Sequence, residues 1–182
     1  AGFASLVEQG DKVVICDNGH FCERMILMAN RLKLNVITLK ADWGRAIDPE
    51  KLDKVLKEHN DVKLVVVIHA ETSTGVKNPL EHLSSVTYKN GALFMADCVT
   101  SLAGTEIRFD DWNLDYAYSG SQKCLACPPG LSPVAISKRA LALVKGRKNL
   151  PSSWYLDLGL IADYWDIKHK AHHTAPVNMI YG

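Results

Sequence analysis

Short apolar runs alternate with amphipathic stretches along most of the chain. The runs are nearly continuous in apolar character, as in strands that are covered by helices on both faces of a parallel sheet. They predict strands at residues 12–16, 35–39, 63–69, 92–97, 115–120 and 133–137. Because these strands alternate with helical segments, we expect an α/β fold with a mostly parallel sheet and helices on both of its faces.

Three of the intervening segments carry helix signals. Residues 22–32 place apolar side chains at helical spacing, residues 48–59 begin with a cap and a first-turn proline, and residues 78–91 end in a glycine stop. The first ten residues are typical of the middle of an amphipathic helix, and the sequence ends as though cut. We therefore expect a fragment of a longer protein.

Composition excludes several classes of partner. The 182 residues carry a net charge of +1 and no basic block, which argues against nucleic acid or an anionic membrane surface as a partner. The sequence lacks an apolar run of the roughly 20 residues that a membrane span needs. Its five cysteines are scattered through apolar segments, which favours a reducing compartment, and Cys124 and Cys127 are interpreted as packing residues. Small molecules and other copies of the chain are the expected partners.

Polar side chains follow several of the predicted strands. They occur at residues 17–21 and 69–75, at Asp97, and at residues 121–123. In open α/β sheets, ligands gather outside the carboxyl ends of the strands, where such groups are exposed. The sequence therefore predicts a site at this edge of the sheet.

Asp97 and Lys123 each allow two interpretations. Asp97 ends an apolar strand, where a carboxylate needs a cation or several donors, but it could equally cap a helix in the segment that follows. Lys123 is either a buried amine, which could form a Schiff base or carry a proton, or an ordinary solvated lysine. Together they match pyridoxal phosphate chemistry, in which a lysine holds the cofactor and an aspartate keeps its ring nitrogen protonated. Thr72 could then contact the ring phenol and Phe21 the ring face.

Five segments resemble, in order and spacing, the class V aminotransferases, specifically the alanine–glyoxylate and serine–pyruvate aminotransferase family. They are HAETSTG (69–75), ADCVTSLAG (96–104), YSGSQKCLACPPG (118–130), WYLD (154–157) and HHTAP (172–176). The similarity runs through essentially the whole chain. It implies a fold-type I pyridoxal phosphate enzyme, usually a homodimer, in which residues 1–182 form most of the large cofactor-binding domain, truncated at both ends and without the C-terminal small domain.

The same resemblance implies a role for each of several residues around pyridoxal 5'-phosphate. These are Lys123 as the catalytic Schiff-base lysine, Asp97 at the pyridine nitrogen, Val99 and Phe21 on the two ring faces, Thr72 at the ring oxygen, Gln122 at the phosphate, and Thr174 at the phosphate of the neighbouring subunit. Phe21 stands where the family commonly has Trp. Ala171 stands near the place of a phosphate-binding Tyr, so that contact would be lost.

The resemblance implies a transaminase that moves an amino group from alanine or serine to glyoxylate or pyruvate. A 3-hydroxykynurenine transaminase of the same family and a catalytically incomplete fragment are the alternatives, and the related cysteine desulfurases are a weaker match. The family implies an intracellular protein, peroxisomal or mitochondrial in eukaryotes and cytoplasmic in bacteria. His169, His172 and His173 could form a metal-binding face, but lysines interleave with them and we expect no metal.

Overall fold

The structure is a computed structural model that describes residues 1–166 and 170–181. Its strands are β1 (Lys12–Asp17), β2 (Asn35–Lys40), β3 (Val62–Ile68), β4 (Ala70–Glu71), β5 (Val76–Lys77), β6 (Leu93–Asp97), β7 (Tyr116–Tyr118) and β8 (Val134–Ile136). Its helices are α1 (Gly2–Leu6), α2 (His20–Arg31), α3 (Pro49–Glu58), α4 (Leu80–Lys89), α5 (Lys138–Lys145), α6 (Leu158–Trp165) and α7 (Val177–Ile180).

A six-stranded sheet forms the centre of the molecule, with the strand order β2-β1-β3-β6-β7-β8. The first five strands of that order pair in parallel, and β8 runs antiparallel to β7. Each strand predicted from the apolar runs is present, although β7 and β8 are shorter than predicted. The short hairpin of β4 and β5 was not predicted. The mostly parallel α/β fold is confirmed.

Two apolar cores cover the two faces of the sheet. Alternate side chains of a strand point to opposite faces, so Val13 and Ile15 of β1 enter one core while Val14 enters the other. Residues of α1, α2, α5 and α6 pack on the first face, and residues of α3 and α4 pack on the second. This double burial explains why the strands lack the polar alternation of a sheet with one face in water.

The helix boundaries follow the sequence signals. The Asp48 side chain accepts a hydrogen bond from Glu50 N at 2.9 Å, and Pro49 is the first residue of α3. After α4 the chain reverses at Gly91, whose φ of 79° lies in the left-handed region that favours glycine. Within residues 1–166 and 170–181, no helix is long and apolar enough to cross a membrane.

A buried carboxylate joins α5 to the centre of the sheet. Asp115, which is 2% exposed, accepts hydrogen bonds from Phe94 N at 2.9 Å and from the Ser137 hydroxyl at 2.8 Å. The Arg139 guanidinium forms an ion pair with the same carboxylate and lies over the ring of Tyr88. Several donors therefore depend on a single acidic side chain.

Replacing Asp115 with asparagine should destabilise the fold. The amide keeps the shape of the side chain but removes its charge and turns one acceptor into a donor, so a buried amide or the Arg139 guanidinium loses its partner. We expect the free energy of unfolding to fall by about 2–4 kcal/mol, measured by urea denaturation. Asp111→Asn is the matched control, because Asp111 is exposed and 4.0 Å from Arg108. Equal stability of the two variants would contradict this role.

Candidate active site

The carboxyl ends of the central parallel strands bring four loops to one edge of the sheet. Ile68 of β3 pairs with Asp97 of β6, and Asp97 pairs in turn with Tyr118 of β7. The loops that follow these residues are therefore neighbours, and the loop after β1 lies beside the hairpin of β4 and β5. The edge predicted from the sequence is the one at which the polar groups meet.

Asp97 lies at the centre of this edge and is half-buried. Its Oδ1 accepts a hydrogen bond from Val99 N at 2.8 Å, and its Oδ2 accepts one from the Tyr118 hydroxyl at 2.7 Å. Burial raises the pKa of the Asp97 carboxyl, these two hydrogen bonds oppose that rise, and the charge of Glu71 adds to it. The carboxylate therefore has fixed donors and little water.

The segment after Asp97 does not form the helix that the capping interpretation requires. Residues 99–104 form a series of turns, so Asp97 caps a turn through Val99 N. Val99 is partly buried beside it. The Thr100 hydroxyl donates to Ala70 O at 2.7 Å, which ties these turns to the hairpin of β4 and β5.

Glu71 fastens the loop of Phe21 to the loop of Thr72. Its carboxylate is fully buried, and it accepts hydrogen bonds from Phe21 N at 3.1 Å and from the amide and hydroxyl of Ser73 at 3.0 and 2.7 Å. Gly19 is required here, because a Cβ at that position would lie 2.4 Å from the Glu71 Cγ. Phe21 and Thr72 themselves remain exposed at the edge.

Lys123 occupies a turn that is closed by a serine. The Ser121 hydroxyl donates to Pro128 O at 2.6 Å, and Cys127 N donates to Ser121 O at 3.0 Å. Lys123 and Gln122 are both exposed, so Lys123 does not have the burial that one of its two interpretations required. The Cys124 thiol donates to Thr100 O at 3.3 Å, which fixes the turn of Lys123 against the turns that follow Asp97.

His69 is buried rather than offered to a ligand. It is 1% exposed, and its ring lies edge-on to Trp112, with ring centroids 6.3 Å apart. Burial and the charge of Lys77 lower the pKa of His69 to about 4. The imidazole is therefore neutral at pH 7 and adds no charge to the edge.

Thr174 is exposed in the segment after α6. The two histidines before it pack on aromatic rings, His172 on Trp154 and His173 on Tyr164, with ring centroids 4.2 and 4.4 Å apart. The role of Thr174 at a neighbouring subunit stays a prediction.

Metal ligands and thiols add little to the site. His169 lies outside the described residues, and within the described part of the chain no three His, Cys, Asp or Glu side chains are grouped to hold a metal ion. All five cysteines are free thiols. Cys124 is exposed and Cys127 partly exposed, and neither belongs to the two apolar cores.

Tyr118 and Glu71 were not singled out from the sequence, although both lie in segments that were. One signal could have identified Tyr118. It carries an aromatic hydroxyl near the end of a predicted strand, and the neighbouring strand of the parallel sheet ends with the carboxylate of Asp97. Glu71 gives no comparable signal, because its partners at Phe21 and Cys22 lie about fifty residues away in the sequence.

The side chains at this edge of the sheet could accommodate a flat ring whose polar end points toward Asp97. The carboxylate of Asp97 is recessed, whereas the ring of Phe21, the hydroxyl of Thr72 and the amine of Lys123 are exposed on the surrounding loops. A carboxylate with restricted access to water favours a cationic partner such as a protonated ring nitrogen. An exposed amine on an adjoining loop can reach an aldehyde. The residues present therefore fit pyridoxal phosphate.

Comparison with known proteins gives a consistent result. The model of the family described as "Aminotransferase class-V" matches residues 1–181. The alanine–glyoxylate aminotransferase of Drosophila melanogaster is 34% identical over 186 residues, which cover 100% of this chain and 47% of that protein. The (S)-ureidoglycine–glyoxylate transaminase of Bacillus subtilis is 33% identical over 199 residues, which cover 100% of this chain and 48% of that protein.

A solved structure gives the same picture. The crystal structure of an alanine–glyoxylate aminotransferase from Nostoc sp. superposes with a TM-score of 0.93 at 41% sequence identity. The superposition covers 98% of this chain and 47% of that one. The chain thus spans about half the length of the curated relatives it matches.

Proposed function

The chain belongs to the class V aminotransferases, and we propose that it supplies the cofactor site of an enzyme that moves an amino group from alanine or serine to glyoxylate or pyruvate. Residues 1–182 then form most of the large cofactor-binding domain. The fold expected for this family is confirmed by the superposition on a solved relative. One observation carries the proposal: the recessed Asp97 carboxylate, held by Val99 N and the Tyr118 hydroxyl at the edge where the loop of Lys123 lies.

Asp97 would hold the ring nitrogen of pyridoxal phosphate in its protonated state. When bound, that cofactor withdraws the electrons released at the α-carbon of an amino acid. Asp97 would supply the opposite charge at the ring nitrogen, and its restricted solvation would strengthen that interaction.

Lys123 would have two tasks in turn. Its Nζ would hold the cofactor covalently until the amino group of a substrate displaces it. The freed amine would then accept the proton from the α-carbon of the substrate and donate it to the former aldehyde carbon of the cofactor, as a general base followed by a general acid. The exposure of Lys123 suits a side chain that must move between these positions.

The remaining predicted residues would orient the ring. Phe21 and Val99 would cover its two faces, Thr72 would contact the ring oxygen and Gln122 the phosphate. Thr174 would reach the phosphate of a neighbouring copy, which makes a homodimer part of the proposal. Glu71 supports this arrangement, because it holds the backbone of Phe21 and the residue after Thr72 with one carboxylate.

The relatives favour glyoxylate as the amino acceptor. Two of them are named as alanine–glyoxylate enzymes and one as an (S)-ureidoglycine–glyoxylate transaminase. Ureidoglycine is therefore a candidate donor beside alanine, and serine and 3-hydroxykynurenine are tested with them, with glyoxylate or pyruvate as the acceptor. A panel of donors assayed with the whole protein would rank them by kcat/KM.

The test of the cofactor site is a titration with pyridoxal phosphate followed by borohydride reduction. We expect saturable binding with a visible absorbance band, and a peptide in which Lys123 alone carries the reduced cofactor by mass spectrometry. Lys138, an exposed lysine at the start of α5, is the internal control and should stay unmodified. Absence of saturable binding, or equal labelling of both lysines, would overturn the proposal.

A further inference from the structure

The hydroxyl of Tyr118 is held beside the carboxylate of Asp97 by the sheet itself. The two residues are partners in the parallel pairing of β6 and β7, and that pairing continues through the hydrogen bond from Cys98 N to Tyr118 O at 2.8 Å. The Tyr118 ring packs against the first core, with its centroid 6.1 Å from that of Tyr116. The 2.7 Å hydrogen bond to Asp97 Oδ2 is therefore fixed by backbone and core together.

The hydrogen bond from the Tyr118 hydroxyl lowers the pKa of the Asp97 carboxyl. Burial and the charge of Glu71 raise the pKa of Asp97, and the hydrogen bonds from Tyr118 and Val99 lower it. Burial and the charge of Asp97, with smaller contributions from Tyr116 and Cys98, raise the pKa of Tyr118 well above its usual value. The phenol consequently keeps its proton through the neutral range and remains a donor.

We propose that Tyr118 is a positioning residue, which keeps Asp97 ionised and directs its carboxylate toward the ring nitrogen of the cofactor. The inference takes the presence of the cofactor from the proposed function. It takes the coupling of Tyr118 to Asp97 from the observed hydrogen bond. A protonated Asp97 would be neutral and would no longer favour a cationic ring nitrogen. Tyr118 thus acts on the reaction through Asp97.

The first test uses the protein without its cofactor. We compare Tyr118→Phe with Tyr116→Phe, a matched control two residues earlier on β7, and follow protonation of ¹³C-labelled Asp97 by NMR. In Tyr118→Phe we expect the midpoint to rise by about one pH unit, since a hydrogen bond to a charged group is lost. In Tyr116→Phe we expect an unchanged midpoint. A midpoint that is unchanged in Tyr118→Phe, or equally shifted in both variants, overturns the inference.

The second test uses the whole protein with pyridoxal phosphate bound. In Tyr118→Phe we expect kcat to fall by about tenfold, in keeping with the loss of one such hydrogen bond, while KM for the amino donor changes little. A fall in kcat that equals that of Tyr116→Phe would overturn the inference. Failure of wild-type protein to bind the cofactor would instead overturn the proposed function, and the NMR titration would still decide whether the pair is coupled.

A reciprocal measurement keeps the inference testable if Tyr118→Phe does not fold. In Asp97→Asn the charged acceptor of the Tyr118 hydroxyl is removed, so we expect the ring ¹³Cζ resonance of labelled Tyr118 to move from its wild-type position at pH 7, while that of Tyr116 stays in place. A Tyr118 resonance that is unchanged in that variant would overturn the coupling.

Discussion

Replacing Lys123 with alanine should abolish transamination by the whole protein. The substitution removes the amine that would hold the cofactor and the base that would accept the α-proton, and general acid–base catalysis alone contributes about 10²–10⁴-fold. Because Lys123 is exposed and lies in a turn closed by Ser121 and Cys127, the fold should not change. The measurements are the steady-state rate, the visible band of bound cofactor, and the unfolding midpoint.

Lys138→Ala is the control for this substitution. It removes another exposed lysine while leaving the edge of the sheet untouched, so rate and spectrum should equal those of the wild type. Partial recovery of Lys123→Ala by an added primary amine would separate the loss of the base from a loss of structure. Turnover of Lys123→Ala at the wild-type rate would show that another group carries the chemistry.

Most of the fold could be predicted because its strands are buried on both faces. Residues 12–16 and 63–69 are apolar almost throughout, and that pattern depends only on the local sequence. The hairpin of β4 and β5 was missed because each strand has two residues, too few for a pattern to develop. Strand β7 ends early because the chain turns into a site loop after Tyr118, and β8 ends at Ile136 because Ser137 caps α5.

The edge of the sheet at which the polar groups meet could also be predicted, but the hydrogen bonds that support the candidate site could not. That polar residues follow parallel strands is visible in the sequence, and it places Asp97 and the loop of Lys123 at one edge. The hydrogen bonds from Tyr118 to Asp97 and from Phe21 to Glu71 join residues that lie 21 and 50 positions apart, and no local pattern contains such pairings. The exposure of Lys123 was likewise undecided, because it depends on how the turn of residues 121–125 packs.

Replacing Asp97 with asparagine should lower the rate by several orders of magnitude while leaving part of the cofactor affinity intact. The amide has the shape of the carboxylate and can still accept from Val99 N and bond to the Tyr118 hydroxyl, so the edge should keep its geometry. It lacks the negative charge that would hold the ring nitrogen protonated, and the loss should therefore appear in kcat more than in binding. Stopped-flow kinetics and a cofactor titration of the whole protein measure the two separately.

Asp17→Asn is the matched control, since Asp17 ends β1 at the same edge of the sheet and no predicted role depends on its charge. Its rate should equal that of the wild type, whereas an undiminished rate in Asp97→Asn would refute the assignment.

The double variant Asp97→Asn with Tyr118→Phe extends the test. If the Tyr118 hydroxyl acts only through the carboxylate, removing it should cost little once Asp97 is neutral, so the two effects on the rate should be strongly non-additive. Additive losses would mean that Tyr118 reaches the reaction by a route independent of Asp97.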